Sequence, residues 1–359
     1  MKCCITPIAI LISFSSSAIA QSERVFEEWD KNGDGFLVRE EVPEGPRQIF
    51  DRKDVNGDGK VSLDEHMDRA ERPNPERRAE SSAAAGAAFS ILQKWEQEPE
   101  GLQRPVYVAE PRGERVDLVP VVIFFHGGGG NANRSLQNWA RTFPDHLVVA
   151  PQGYLGFWNV QGERSKAPDV TFFKDLVSEI QKRYEYANLE DVTLIGTSNG
   201  AAYIYRLMIE VPENLFQKAV PMVSSLLVSQ HHDGAFWKSA KQTDTDSLDV
   251  EAVPVNEGRR ILYLHGSNDR VVPFEGGKRF GKFEHHSALA TANIWAAHFG
   301  YSGNPKIPDD AKKVDEGLSR YDFAGAEFTF VAVEGGDHGL SPHRDAATEL
   351  IKDFVVESR

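Results

Sequence analysis

The sequence feature that most constrains the fold is a series of short apolar runs, each of which reaches a glycine or a glycine-rich turn. These strand-like runs are Val119–Gly127, His146–Gly153, Val192–Ser198, Arg260–Gly266 and Phe328–Gly336. Segments with helical patterning lie among and after them, at Phe172–Tyr184, Ala201–Ile209, Ser287–His298 and Asp345–Val356. Because the runs are apolar on both faces and alternate with helices, they predict an α/β fold with a mostly parallel central sheet.

Residues 196–200 read Gly-Thr-Ser-Asn-Gly, which is a G-x-S-x-G pattern. The strand-like "VTLI" precedes it, and the helix-forming "AAYIYRLMIE" follows. A sharp turn from strand to helix leaves little room for side chains beside its central residue, and this accounts for the flanking glycines. Such a turn would present Oγ of Ser198 at the carboxyl edge of the sheet, where sites form in parallel sheets. Ser198 is therefore the candidate nucleophile, and the alternative is a glycine-rich turn with a capping serine.

A serine nucleophile needs a base and a carboxylate that orients the base. The chain order expected for this fold is Ser, then Asp or Glu, then His. Asp269 follows the run "RILYLHG", and His338 follows the last run, so these two are the candidates. His343 competes with His338 because it belongs to the same loop region. The weaker candidates, which follow no strand or precede Asp269 in the chain, are Asp233, Asp244, Asp246, His126 and His265. We interpret the last two as packing residues.

The glycine run in "FFHGGGG" follows the first core strand. Acyl transfer passes through an oxyanion that needs backbone N–H donors, and glycines let the backbone approach the substrate carbonyl closely. Gly127 and Gly128 are the candidate donors in this run, together with the N–H of Asn199, the residue after the nucleophile. A phosphate-binding interpretation fails because neither a following Lys-Ser/Thr nor a G-x-G-x-x-G spacing is present.

Five segments of the chain carry a resemblance to a known family: "PVVIFFHG", "PQGYLGFWN", "GTSNGAAY", "HGSNDRVVPFEGG" and "GGDHG". Through them, from about residue 103 to 357, the chain resembles the secreted esterases that include polyhydroxybutyrate depolymerases and feruloyl or acetylxylan esterases, within the α/β-hydrolase fold. The resemblance implies that Ser198, Asp269 and His338 form a catalytic triad, and that the substrate is a small-molecule or polysaccharide-linked ester of the feruloyl, acetyl or hydroxyalkanoate type. With the loop position of Phe157 and Trp158, it also makes Trp158 a candidate substrate-binding residue.

Two other functions stay open at this point. A peptidase of the same fold would use the same residues, because the triad chemistry does not choose an ester over an amide. A calcium-dependent binding protein with an inactive hydrolase domain is the other, although the intact order of serine, aspartate and histidine speaks against it.

Residues 30–41 and 54–65 both have the spacing of an EF-hand calcium loop, with oxygen ligands at positions 1, 3, 5, 7 and 12 and glycine at position 6. The predicted ligands are Asp30, Asn32, Asp34, the carbonyl of Phe36 and Glu41, and then Asp54, Asn56, Asp58, the carbonyl of Lys60 and Glu65. Leu37 and Val61, at position 8 of each loop, are predicted to pair in a short ribbon. We expect two structural calcium ions and no cofactor for catalysis.

The 359 residues allow one large domain and a small one. Residues 1–20 have the pattern of a secretory signal, with Lys2, an apolar stretch and a small-residue cleavage site, so we expect a secreted or periplasmic protein. Residues 22–70 are predicted to be a small helical EF-hand pair, 71–88 a linker rich in Pro, Arg, Ser and Ala, and 89–359 the catalytic domain of α/β-hydrolase fold. The net charge of −14 argues against nucleic acid and anionic membranes as partners. No membrane insertion of the mature chain is expected.

Overall fold

The structure is a computed structural model that describes residues 25–26, 28–31, 35–43, 50–53, 59–66, 87–112, 118–161, 165–238, 258–278, 283–303, 312–315, 317–323 and 325–357. The predicted signal segment and most of the predicted linker lie outside these residues. The chain divides into two units, residues 1–77 and residues 78–359. In the part of the chain that the structure describes, no helix is both long and apolar enough to cross a membrane.

The described part of the smaller unit is built around a two-stranded ribbon. Its elements are β1 (Phe36–Val38), α1 (Phe50–Lys53), β2 (Lys60–Ser62) and α2 (Leu63–His66). β1 and β2 are antiparallel, and Leu37 lies opposite Val61, so the predicted pairing is confirmed. These two side chains are buried with Phe26, Val42 and Phe50 in a small apolar core.

The larger unit contains a sheet whose middle strands are parallel. Its strands are β3 (Phe89–Trp95), β4 (Glu98–Ala109), β5 (Val119–Phe125), β6 (Leu147–Pro151), β7 (Ala187–Thr197), β8 (Lys218–Met222), β11 (Arg260–Gly266), β12 (Lys312–Asp315), β13 (Leu318–Asp322) and β14 (Phe328–Val333). A separate hairpin joins β9 (His231–His232) and β10 (Ala235–Phe236). Among the described residues the sheet order is β12-β13-β14-β11-β8-β7-β5-β6-β4-β3. The neighbours from β14 to β6 are parallel, and the outer pairs are antiparallel.

Helices cover both faces of this sheet. They are α3 (Ala132–Thr142), α4 (Asp169–Arg183), α5 (Asn199–Glu210), α6 (Ala288–His298) and α7 (Arg344–Val356). The buried residues of α4, α5 and α6 belong to one apolar cluster, and those of α3 and α7 belong to a second. The predicted α/β fold with a mostly parallel central sheet is therefore confirmed.

The order of the strands reverses between β5 and β7. From β5 the chain continues to β6 on one side, whereas β7, on its other side, continues to β8, β11 and β14. In open α/β sheets, ligands bind where the strand order reverses in this way, beyond the carboxyl ends of the strands. The loops after β5 and β7 flank this point, and they carry the predicted oxyanion glycines and the predicted nucleophile.

Candidate active site

The turn from β7 to α5 holds Ser198 in an unusual backbone conformation, with φ 53° and ψ −120°. A residue other than glycine is rarely held at positive φ, and such strain clusters at functional sites. The neighbouring glycines are sterically required. A Cβ on Gly200 would overlap the carbonyl of Phe125, and one on Gly196 would lie 2.6 Å from the carbonyl oxygen of Gly200. The turn therefore has the geometry of a nucleophile elbow.

The glycine loop after β5 lies against this turn. A Cβ built on Gly127 would be 3.4 Å from Cβ of Ser198. The N–H groups of Gly129 and Gly130 donate to the carbonyls of Gly156 and Gly127, each at 2.9 Å. In contrast, no acceptor among the described residues lies against the N–H of Gly127 or Gly128.

Asn199 is the first residue of α5, so its N–H has no acceptor within the helix. Its side chain binds the backbone of Trp158. Oδ1 accepts from the N–H of Trp158 at 2.7 Å, and Nδ2 donates to the Trp158 carbonyl at 3.0 Å. Gly127, Gly128 and Asn199 thus remain the predicted oxyanion donors, and their unused N–H groups are available for that role.

His126, interpreted from the sequence as a packing residue, organises the glycine loop. Nδ1 donates to the carbonyl of Gly127 at 2.8 Å, and Nε2 accepts from the N–H of Gly153 at 2.9 Å. The amide of Gln152 lies 3.0 Å from the same Nε2. Burial lowers the pKa of His126 to about 4, although its hydrogen bond to Gly127 acts in the opposite direction. The ring is therefore neutral near neutral pH, as its accepting nitrogen requires.

Asp269 and His338 meet at the same edge of the sheet. Oδ2 of Asp269 lies 2.8 Å from Nδ1 of His338, and Oδ1 accepts from the N–H groups of Val271 and Val272 at 2.8 and 3.0 Å. Burial acts to raise the pKa of Asp269, but its interactions with His265 and His338 outweigh burial, so this pKa lies well below its ordinary value. The carboxylate is therefore charged and holds the proton of His338 on Nδ1, which leaves Nε2 to exchange a proton.

The competing residues occupy other surroundings. His343 precedes α7, and its ring fills the space where a Cβ on Gly317 would lie. The side chain of Asp233 is exposed and binds His232 in the β9–β10 hairpin. Asp244 and Asp246 lie outside the described residues. Of the histidines that the sequence left open as the base, the structure pairs His338 with Asp269.

Asp337 is a residue whose role the sequence did not reveal. Its Oδ1 accepts from the N–H groups of Gly339 and Ser341, at 2.8 and 2.9 Å. These bonds bend the backbone around His338. A short polar side chain that closes a local turn is a recognisable signal, and it could have been read from the Asp-His-Gly sequence.

Trp158, the candidate substrate-binding residue, lies in the apolar core. Its side chain is fully buried, stacks on Tyr203 with ring centroids 4.9 Å apart, and donates from Nε1 to the carbonyl of His126 at 3.0 Å. Its neighbour Phe157 is only partly buried, and a Cβ on Gly128 would lie 2.8 Å from its ring. Phe157 is thus the aromatic residue beside the predicted oxyanion donors.

A buried ion pair between Arg104 and Asp169 holds the segment that contains Phe157 and Trp158. Nη1 of Arg104 lies 2.5 Å from Oδ1 of Asp169, and both side chains are buried. The other carboxylate oxygen accepts from the N–H of Asn159 at 2.6 Å, and the guanidinium lies 3.8 Å from the centroid of the Phe172 ring. Through Asn159, this pair fixes the segment that contains Phe157 and Trp158.

The described parts of the two predicted calcium loops make equivalent internal contacts. In each, the position-12 carboxylate accepts from the position-9 N–H: Glu41 from Val38 at 3.0 Å, and Glu65 from Ser62 at 2.9 Å. Gly35 and Gly59 both have φ of 80°, which glycine tolerates. Oδ2 of Asp30 accepts from the N–H of Gly35 at 2.9 Å. The predicted ligands that lie outside the described residues are Asn32, Asp34, Asp54, Asn56 and Asp58.

No protein-family model and no curated protein matches the chain. Among solved structures, a thermostable esterase is 16% identical over 69% of this chain and 55% of its own, with a TM-score of 0.43. Est1E from Butyrivibrio proteoclasticus is 13% identical over 75% of this chain and 98% of its own, with a TM-score of 0.43. The butyrate-bound esterase Est2 from Thermogutta terrifontis is 16% identical over 76% and 94%, with a TM-score of 0.46. This chain spans little more than half the length of the first of these esterases.

Proposed function

We propose that the larger unit is a serine hydrolase that cleaves carboxylic esters with Ser198 as nucleophile, His338 as base and Asp269 as the orienting carboxylate. The observation that carries the proposal is the 2.8 Å hydrogen bond between Asp269 and His338, at the sheet edge where Ser198 is held at positive φ. A structural serine in a turn would need neither the strained backbone nor a buried carboxylate paired with histidine.

The reaction would take two steps. Oγ of Ser198 attacks the ester carbonyl carbon and gives its proton to Nε2 of His338, while the N–H groups of Gly127, Gly128 and Asn199 bind the oxyanion. The intermediate collapses as His338 protonates the departing alcohol, which leaves an acyl-serine. Water then gives a proton to Nε2 of His338 as its oxygen attacks the acyl carbon, and His338 returns this proton to Oγ of Ser198 as the acid departs.

The preferred acyl group would be small or aromatic, on a small molecule or a polysaccharide, rather than a long lipid chain. Phe157 supports this because its partly exposed ring lies beside Gly128, where it can form one wall of the acyl pocket. The wall is rigid, since Asn199 binds both backbone groups of the adjacent Trp158.

A panel of matched substrates tests this function. The protein is incubated with acetyl, butyryl, feruloyl and 3-hydroxybutyryl esters, a long-chain triglyceride and a peptide amide. We expect turnover of the short or feruloyl esters to exceed that of the triglyceride and the amide. Preferred cleavage of the amide would instead assign the unit as a peptidase. No turnover and no reaction with a fluorophosphonate would favour a binding protein with an inactive hydrolase unit.

We also propose that the smaller unit binds two structural calcium ions and that residues 1–20 are a secretory signal. Two observations support paired calcium loops. Glu41 and Glu65 make the same contact within their own loops, and the ribbon of β1 and β2 joins the two loops. The donor set consists of carboxylate, amide and carbonyl oxygens, which calcium prefers. Export is tested by N-terminal sequencing of the protein from the culture medium or periplasm. A first residue of Gln21 is expected, whereas a retained Met1 would contradict the proposal.

A further inference from the structure

His265 lies in β11 just before its final residue, and both of its ring nitrogens have partners although the side chain is fully buried. Nε2 lies 2.9 Å from the carbonyl oxygen of Val272, and Nδ1 lies 2.7 Å from the hydroxyl of Tyr263. A carbonyl only accepts hydrogen bonds, so Nε2 carries the proton and Nδ1 accepts from Tyr263. The ring is therefore fixed from two sides.

The loop that His265 binds is the one that holds the carboxylate of Asp269. Residues 269–272 wrap around this carboxylate, since Oδ1 accepts from the N–H groups of Val271 and Val272. The carbonyl oxygen of Val272, in the same loop, accepts from Nε2 of His265. Nε2 of His265 also lies 3.5 Å from Oδ2, the oxygen that binds His338. At that distance the contact is electrostatic rather than a strong hydrogen bond.

The hydrogen bonds continue beyond His265 to Ser225, in the loop after β8. Tyr263 gives its proton to His265, so the hydroxyl of Ser225, 3.0 Å away, donates to the Tyr263 oxygen. The carbonyl of Ser225 in turn lies 3.2 Å from Nδ1 of His285. Buried polar groups are costly unless satisfied, and a satisfied chain is rigid. A histidine that only filled space would need none of these bonds.

We propose that His265 is a positioning residue for the hydrolytic reaction. By binding the Val272 carbonyl and facing Oδ2, it holds the Asp269 carboxylate in the orientation that fixes the tautomer and direction of His338. His265 itself does not reach the substrate. This inference rests on the proposed function, because it assigns a role to the pair Asp269–His338.

Three variants and a control test the role of His265. His265→Phe keeps the ring volume and removes both hydrogen bonds, His265→Gln restores one donor and one acceptor, and Tyr263→Phe removes only the bond to Nδ1. His146→Phe is the matched control, because His146 is also a buried histidine but immediately precedes β6, far from β11 in the order of the sheet. For each folded variant, kcat and KM on a short soluble ester are measured, together with the downfield proton resonance of His338 Nδ1–H.

We expect His265→Phe to lower kcat by about 10- to 100-fold with KM nearly unchanged, since a small misplacement of a catalytic group costs about that much. The His338 resonance should shift or broaden, Tyr263→Phe should show a smaller loss, and His265→Gln should recover part of it. His146→Phe should match the unmodified protein in kcat and in the resonance.

Three results would overturn the proposal: a folded His265→Phe variant with unchanged kcat and resonance, an equal loss in His146→Phe, or a loss confined to KM. If His265→Phe does not fold, Tyr263→Phe decides in the same way. The outcome is separable from that of the proposed function. A protein that hydrolyses no ester, but whose His338 resonance depends on His265, would keep the positioning role and refute the esterase assignment.

Discussion

Two buried histidines, each followed by a glycine, lie at the ends of strands on opposite sides of the nucleophile strand. His126 follows β5 and binds the backbone of the glycine loop. His265 is the last residue but one of β11 and binds the backbone of the loop that carries Asp269. They use opposite tautomers: His126 donates from Nδ1 to a carbonyl, and His265 donates from Nε2. Each binds the backbone of the loop that follows it, so a buried histidine fixes a loop on each side of the nucleophile strand.

The difference between them lies in what their loops hold. The loop of His126 presents neutral N–H groups, and burial, assisted by the positive charge of Arg104, lowers the pKa of His126 to about 4. The loop of His265 encloses the charged carboxylate of Asp269. The two sides of the site should therefore respond differently to substitution and to acid.

The largest effect is expected on the acid side, at the base itself. His338→Ala should lower kcat by about 10⁶-fold, as removal of a triad histidine does, because nothing else accepts the serine proton. His343→Ala is the matched control and should change kcat little, since its ring lies against Gly317. Steady-state kinetics on a short ester measure both. The reverse result would move the base to His343 and leave the assignment of the serine untouched.

On the glycine side, His126→Phe should lower kcat by about 10²- to 10³-fold, the cost of losing an oxyanion donor. The phenyl ring cannot hold the Gly127 carbonyl or the Gly153 N–H, so the donors lose their alignment. His146→Phe is the control, because His146 is also a buried histidine but precedes β6 at the opposite edge of the sheet. Equal losses in both variants would show a general effect of burying phenylalanine instead.

Acid should lower the free energy of unfolding through the protonation of His126. The pKa of His126 is about 4 in the folded protein and ordinarily about 6.5, so between these values the unfolded chain binds more protons. Its contribution to the free energy of unfolding is complete above pH 6.5 and is lost as pH falls to about 4, by about 3 kcal/mol.

Urea unfolding of the natural protein and of His126→Gln, measured across this pH range, checks the expectation. Glutamine does not titrate, so the variant should lose less stability on acidification. Parallel pH profiles for the two proteins would contradict the assigned protonation of His126. Other buried histidines, such as His146, contribute equally to both profiles and cancel in the comparison.

The smallest effect on catalysis is expected from calcium removal. Neither histidine loop contains a predicted calcium ligand, and serine acyl transfer needs no metal. A chelator should unfold the smaller unit, because metal binding in so small a unit contributes to its folding. Turnover of a soluble ester should stay within about tenfold, or about 1.4 kcal/mol on the barrier. Circular dichroism and turnover on one sample measure both, and a larger loss would mean that the smaller unit shapes the site.

The sequence predicted those parts of the fold whose pattern is local. The predicted core strands and helices are present, because apolar runs and helical spacing reflect burial directly. Strand β8 was not predicted. It contains Pro221, which cannot donate to a ladder and argues against a central strand. Pro221 nevertheless lies opposite Gly196 in the ladder with β7, and β11 pairs with other residues of β8.

The parts of the site that depend on distant contacts were beyond sequence reasoning. The pattern identified Asp269 and His338 as candidates because each follows a strand. It could not show that His126 and His265 bind loop carbonyls, because those contacts depend on the fold of the loops. Nor could it distinguish Phe157 from Trp158, whose adjacent side chains point into different surroundings, one partly exposed and one in the core.

The central claim, that Ser198 is a nucleophile activated by His338 and Asp269, is tested most directly by locating a covalent adduct. The protein and its Ser198→Ala variant are treated with a fluorophosphonate, digested and analysed by mass spectrometry. The account predicts one adduct on the peptide that contains Ser198, and no adduct in the folded variant. Labelling of another residue, or equal labelling of both proteins, would contradict it.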